Sequence, residues 1–105
     1  MSLGELLVEV WRKTLVDRLD SFEFEGRSYR VGRTRSQGLR TVTIPFEGRL
    51  IEGIEQNPQK TSQWAQRAQG GERIMQFRLG GRYIGNVAEG KLLRYPGWKS
   101  AGLAE

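Results

Sequence analysis

The chain has 105 residues and a net charge of +5, and it contains neither cysteine nor histidine. The length fits one domain with a modest core. Without cysteine and histidine, a disulfide, a thiolate metal site, a cysteine nucleophile and a Ser-His-Asp triad are all excluded. No nucleotide-binding glycine loop and no convincing pair of carboxylates for acid–base chemistry stands in the sequence. We therefore expect a protein that is not an enzyme and that uses no metal or cofactor.

The hydropathy pattern predicts neither a membrane-spanning helix nor a secretory signal. No run of 18 or more apolar residues occurs, which is the minimum for a membrane-spanning helix. Glu5 and Glu9 interrupt the first apolar stretch, and no basic leader precedes it. We expect a cytoplasmic protein.

Positive charge is concentrated in two parts of the chain. Arginine exceeds lysine by 13 to 4, and residues 27–45 and 60–105 each sum to +5, the first without any acid. A guanidinium group forms bidentate hydrogen bonds with phosphate oxygens and is weakly hydrated, which favours a polyanion as partner. The alternative is a hydrophilic surface that happens to be rich in arginine, as in some thermophile proteins.

The first predicted element is an amphipathic helix over residues 3–20. Ser2 and Glu5 have the spacing of a capping box. Apolar residues then recur at helical spacing: Leu3, Leu7, Val10, Trp11, Leu15 and Leu19. Leu6 and Val8 widen this apolar side. Two interpretations stay open: the helix packs on its own sheet, or it also pairs with a second copy in a homodimer.

Residues 22–55 follow as two predicted β-hairpins. Each has alternating strand residues on both sides of a Glu-Gly turn, at Glu25-Gly26 and at Glu47-Gly48. Residues 33–38 form a polar loop between them, which grips phosphates or is simply a solvated tip.

The second half of the chain predicts one more helix and more strands. Asn57-Pro58 begins a helix over residues 58–69 that ends at Gly70-Gly71. Residues 73–95 read as a hairpin plus a strand, and residues 96–105 as a loose tail. The fold class is α+β: a single domain over residues 1–105, with a curved antiparallel sheet of hairpins and both helices packed on one face. The other face would then meet solvent or a ligand.

One segment resembles a known family. Residues 54–68, which begin Ile54-Glu55-Gln56 and include Trp64, together with Gly70-Gly71 and the hairpin over residues 73–87, are similar to small archaeal single-stranded DNA-binding proteins. These are the proteins not built on an OB-fold, the ThermoDBP family and its shorter relatives. The resemblance implies a curved antiparallel sheet with packed helices, and a basic cleft that takes single strands with little sequence preference. It assigns no binding residues.

Binding of single strands needs positive charge for the backbone and accessible aromatic faces for the bases. Charge and strand alternation select nine candidate residues: Arg30, Arg33, Arg35, Arg40, Arg78, Arg82, Tyr83, Arg94 and Trp98. Alternation directs Gln76 and Arg78 outward, and Met75 and Phe77 into the core. Trp98, in a turn, is the best candidate for an exposed aromatic; otherwise it closes over the edge of the core.

The sequence therefore predicts a non-catalytic protein that binds single-stranded nucleic acid, DNA in preference to RNA. Binding would be led by the backbone and largely independent of sequence. The alternative function is a protein-interaction or assembly module that uses the apolar N-terminal helix. Charge reversal at Arg30 and Arg78 would abolish the first activity, and polar substitution at Leu7 and Trp11 the second.

Overall fold

Antiparallel strands follow an N-terminal helix, and a short helix comes after them. The computed structural model describes residues 2–56 and 73–103. In chain order, these residues form α1 (Leu3–Trp11), a π-helical segment (Arg12–Val16), β1 (Ser21–Phe24), β2 (Arg27–Arg30), β3 (Gly32–Arg33), β4 (Arg40–Phe46), β5 (Arg49–Glu55), β6 (Ile74–Leu79), β7 (Arg82–Ala88), β8 (Lys91–Arg94) and α2 (Pro96–Ser100). The predicted α+β class is confirmed. The helix predicted over residues 58–69 lies outside the described residues.

Two sheets are present in this part of the chain. Strands β3 to β8 form one six-stranded antiparallel sheet in chain order, and β1 pairs with β2 in a separate ribbon. The predicted hairpins are found as β1–β2, β4–β5 and β6–β7. Both central residues of the turn between β1 and β2 have positive φ, 50° at Glu25 and 77° at Gly26. This is the combination that a two-residue hairpin turn of type I′ requires, and it explains why a glycine recurs at each tip.

The N-terminal helix begins as predicted and ends earlier than predicted. The hydroxyl of Ser2 accepts a hydrogen bond from the backbone N–H of Glu5, and the Glu5 side chain accepts one from the backbone N–H of Ser2. The expected end at residue 20 is wrong, because helical structure stops at Val16. Arg18 has a φ of 53°, a left-handed conformation that a right-handed helix cannot continue through.

The core lies between α1 and one face of the six-stranded sheet. Leu7 and Leu15 are almost completely buried there, in one cluster with Phe77. The indole N–H of Trp11 donates a hydrogen bond to the carbonyl oxygen of Arg73, at 2.7 Å. Leu7 and Trp11 are thus occupied inside the domain, whereas Leu6 and Val8, which widen the apolar side, are only partly buried. None of the described helices is long and apolar enough to cross a bilayer.

The C-terminal residues are more ordered than the sequence suggests. Where a loose tail was expected, Pro96–Ser100 form α2, with Tyr95 as its N-cap residue. Proline is well suited to this first turn because its missing N–H would have no partner there. Trp98 and Leu103 are both buried and fix α2 and the following turn to the core.

The second face of the six-stranded sheet is only partly open to solvent. Gln76 lies opposite Ile54 and Asn86 in the register, on the side that points away from α1. Gln76 therefore points as predicted, yet it is buried, and Ile74 on the same side has no exposed surface at all. The face that was expected to meet solvent or a ligand is thus accessible only in part. The accessible part lies toward Arg78 and Tyr83.

Candidate nucleic-acid interface

The nine candidate residues do not form one continuous surface. Three exposed arginines lie on β2, β3 and the loop after β3, and we call Arg30, Arg33 and Arg35 the arginine patch. A second group, Arg78 and Tyr83, faces away from α1 on β6 and β7. The remaining candidates either surround α2 or are buried: Arg82, Arg94, Trp98 and Arg40.

The loop that carries Arg35 is held in shape by hydrogen bonds. The backbone N–H of Thr34 donates to the carbonyl of Leu39 at 2.8 Å, and the Thr34 hydroxyl accepts from the N–H of Leu39 at 3.0 Å. The guanidinium of Arg33 donates to the carbonyl of Gly38 at 3.1 Å. The loop is therefore a defined turn, and Arg35 lies exposed within it.

No carboxylate neutralises the arginine patch among the described residues. Among the described residues, the arginines that form ion pairs within 4.0 Å are Arg12, Arg40 and Arg49, and none of these belongs to the patch. The nearest acid in the strand pairing is Asp20, whose backbone carbonyl accepts a hydrogen bond from the N–H of Val31 and whose carboxylate lies 3.4 Å from the guanidinium of Arg40. Glu23 pairs with Ser28, two pairs along the ribbon from Arg30. The charges of the patch are consequently available to an external anion.

Arg40 does not belong to the interface, so its prediction as a binding residue is wrong. Its side chain is 2% exposed, and its guanidinium donates to the carbonyl of Leu19 and lies 3.4 Å from the carboxylate of Asp20. Arg40 lies on the same side of β4 as the buried residues Val42 and Ile44. That spacing of two was the signal in the sequence for an inward side chain.

Trp98 and its neighbours hold α2 against the sheet. Trp98 is 5% exposed, so its prediction as an accessible stacking residue is wrong. The guanidinium carbon of Arg94 lies 4.8 Å from the centroid of the Trp98 ring, and Arg82 donates to the hydroxyl of Ser100 at 3.0 Å. Arg82 and Arg94 are exposed, but these contacts give them a structural role around α2.

Arg78 and Tyr83 form a stacked pair on the face that points away from α1. They lie directly opposite each other across β6 and β7, and the guanidinium carbon is 4.8 Å from the ring centroid. Gln76 connects the two, because its amide nitrogen donates to the Tyr83 hydroxyl and its amide oxygen accepts from Arg78 at 2.8 Å. Tyr83 is 41% exposed. Strand alternation did not decide the side of Tyr83, and the structure places it on the accessible part of this face.

A second tyrosine, Tyr95, supports this pair. The rings of Tyr83 and Tyr95 meet edge to face with centroids 5.8 Å apart. The hydroxyl of Tyr95, which is only half-buried, accepts a hydrogen bond from the side-chain amide of Asn86 at 2.9 Å. Burial, and secondarily the nearby Tyr83, raises the pKa of Tyr95 above its ordinary value. We call Gln76, Arg78, Tyr83, Asn86 and Tyr95 the tyrosine cluster.

Comparisons with known proteins add no relative. No family model, curated protein or solved structure matches this chain. Residues 2–56 and 73–103 also contain no group of three or more acidic side chains placed to hold a metal ion. Functional inference therefore depends on the arginine patch and the tyrosine cluster themselves.

Proposed function

We propose that this protein binds single-stranded nucleic acid, with DNA favoured over RNA, and that the arginine patch provides the principal backbone contacts. The observation that carries the proposal is the set of three exposed guanidinium groups within six residues, free of carboxylate partners in the described structure. Such groups match phosphate oxygens in geometry and charge. The same ligand class is implied by the resemblance of residues 54–87 to the ThermoDBP family.

The described elements favour a single strand over a duplex. Helices that enter the major groove need a basic or polar reading face, whereas α1 carries Glu5 and Glu9 outside its buried side. The ribbon of β1 and β2 has Glu23 on an outer face and Glu25 at its tip, so phosphates on both sides of a groove would repel it. A single strand has one phosphate backbone, so its contact with the arginine patch brings no second backbone against these acids.

The proposal predicts a measurable salt dependence. Each phosphate neutralised on a single strand contributes about −0.7 to the slope of log K against log salt concentration. Three patch arginines therefore correspond to a slope of about −2. Fluorescence anisotropy of labelled single-stranded DNA, single-stranded RNA and duplex, each of about 20 nucleotides and measured across a salt series, tests the value and the ligand class.

A charge-matched pair of variants tests the position of the site. Arg33→Glu with Arg35→Glu should weaken binding at least tenfold and flatten the salt slope. Lys91→Glu with Lys99→Glu changes the net charge by the same amount at exposed positions on β8 and α2, and should change affinity far less. Equal losses in both variants would show that only overall charge matters. Absence of binding at low salt would overturn the proposal.

A further inference from the structure

The Arg78 and Tyr83 pair has no evident structural purpose that requires an exposed aromatic ring. Tyr83 leaves 41% of its surface accessible, although the core lies on the opposite side of the sheet. We infer that this pair is a stacking position for one base of the bound strand. The inference rests on the proposed function and adds to it a second, uncharged mode of contact.

The ring of Tyr83 is held ready for such a contact. Its hydroxyl is fixed by Gln76, one side meets the guanidinium of Arg78 at 4.8 Å, and Tyr95 meets it edge to face at 5.8 Å. An isolated exposed tyrosine would lose rotational freedom on binding. Here that freedom is already restricted, so less ordering opposes association.

Local charge favours a base over a phosphate at this position. Glu52 lies directly opposite Arg78 in the pairing of β5 with β6, and its side chain is exposed on the same face. The negative carboxylate beside the guanidinium offsets its attraction for a phosphate group. A base presents an uncharged π-face, which stacks on tyrosine and on the plane of an arginine whatever the base identity.

Arg33 of the arginine patch and Tyr83 lie on opposite sides of the sheet. Arg33 pairs with Arg40, whose side chain is on the α1 side, whereas Tyr83 points away from α1. The arginine patch includes β3, and Tyr83 lies on β7, four strand spacings away in the sheet order. Four spacings correspond to about 19 Å at about 4.8 Å each. A strand anchored on Arg33 therefore has to pass around the sheet edge at β3 and then cross the other face to place a base at Tyr83, so an oligonucleotide is required and a mononucleotide is insufficient.

Two substitutions at one position test the stacking contact. Stacking on an aromatic side chain contributes about 1–3 kcal/mol per base, so Tyr83→Leu should weaken binding of single-stranded DNA by about 5- to 150-fold. The salt slope should stay unchanged because the substitution removes no cationic side chain. Tyr83→Phe keeps the ring and should bind within about threefold of the wild type, and thermal unfolding of both variants controls for folding.

Photo-cross-linking examines the unmodified protein with the same ligand. A strand with 5-iododeoxyuridine at each position in turn should cross-link to Tyr83, as identified by mass spectrometry of the peptides. If wild-type protein binds but Tyr83→Leu binds equally well, or the cross-links avoid Tyr83, the stacking position is wrong and the arginine patch stands. If wild-type protein binds no strand at low salt, both proposals are wrong.

Discussion

Gly97 lies directly against the backbone of Tyr83. A Cβ at residue 97 would overlap the carbonyl oxygen of Tyr83, and it would lie 2.9 Å from the carbonyl carbon and 3.0 Å from the Cγ of Arg82. Backbone atoms in a sheet cannot move aside as a flexible side chain can. The absence of a side chain at residue 97 is therefore what lets α2 rest on β7, with Trp98 buried beside it.

Gly97→Ala is expected to destabilise the protein by about 1–3 kcal/mol, the usual range for overpacking. The measurement is the free energy of unfolding in urea. Lys99→Ala, at an exposed position of the same helix, is the matched control and should change stability by less than about 0.5 kcal/mol. Equal stability of Gly97→Ala and the wild type would mean that α2 does not contact β7 this closely.

Arg40 and Asp20 should differ sharply in their contributions to stability. Arg40→Met leaves the carbonyl of Leu19 without its buried donor, so we expect a loss of about 1–3 kcal/mol. The side chain of Asp20 is 91% exposed, and Asp20→Asn should lose less than about 1 kcal/mol. The measurement is the free energy of unfolding of both variants in urea. In a conventional ion pair, Arg40→Met and Asp20→Asn would lose similar amounts of stability. Folded Arg40→Met should also bind nucleic acid as the wild type does.

The contribution of the α1 capping box to the free energy of unfolding should decrease at acidic pH. Ser2→Ala is expected to lose about 1 kcal/mol near neutral pH, because the N–H of Glu5 loses its acceptor. Hydrogen bonding to the backbone and side chain of Ser2 holds the pKa of Glu5 below its ordinary value of 4.5. A lowered carboxyl pKa stabilises the folded state above the unfolded value, and this contribution disappears as pH falls through the folded value.

Thermal unfolding between pH 7 and about pH 3 tests this dependence. The difference between the wild type and Glu5→Gln should shrink as the pH falls below 4.5, because the variant removes the ionisable acceptor of the Ser2 backbone N–H. A difference that stays constant across this range would contradict a charged Glu5 in the capping box.

Tyr95 should give the protein an alkaline dependence of stability. Burial and the neighbouring Tyr83 raise its pKa above 10.0. A group with a raised pKa stabilises the folded state fully below its unfolded pKa, and the contribution is lost as pH rises through the folded value. Spectrophotometric titration of the phenols should show a late-ionising group that Tyr95→Phe removes. The wild type should also lose stability above pH 10 more steeply than Tyr95→Phe does.

The hairpins were predictable because their signals are local. Gly26, Gly48 and the pair Gly80-Gly81 supply positive φ where a two-residue turn needs it, and alternating residues flank each turn. The end of the first helix was not predictable in this way. The apolar period continues through Leu19, whereas the left-handed conformation at Arg18 depends on how the chain meets β1.

The candidate site was predicted only in part. Strand alternation predicts which side of the sheet a side chain points to, but it does not predict how deeply that side chain is buried. The outward direction of Arg78 and the core position of Phe77 followed from the two-residue period of a strand, whereas this period did not decide the side of Tyr83. The burial of Trp98 depends on the packing of its own helix, α2, against β7. Tertiary contacts of this kind produce no periodic pattern of residues from which they could be predicted.

The two outermost strands of the six-stranded sheet are both short. Strand β3 has two residues, and β8 has four, with Lys91 and Arg94 at its ends. A neighbouring molecule that tried to extend the sheet would find few free backbone groups on β3 and positive side chains on β8. Copies of the protein can therefore reach a high local concentration without joining edge to edge into a continuous β structure.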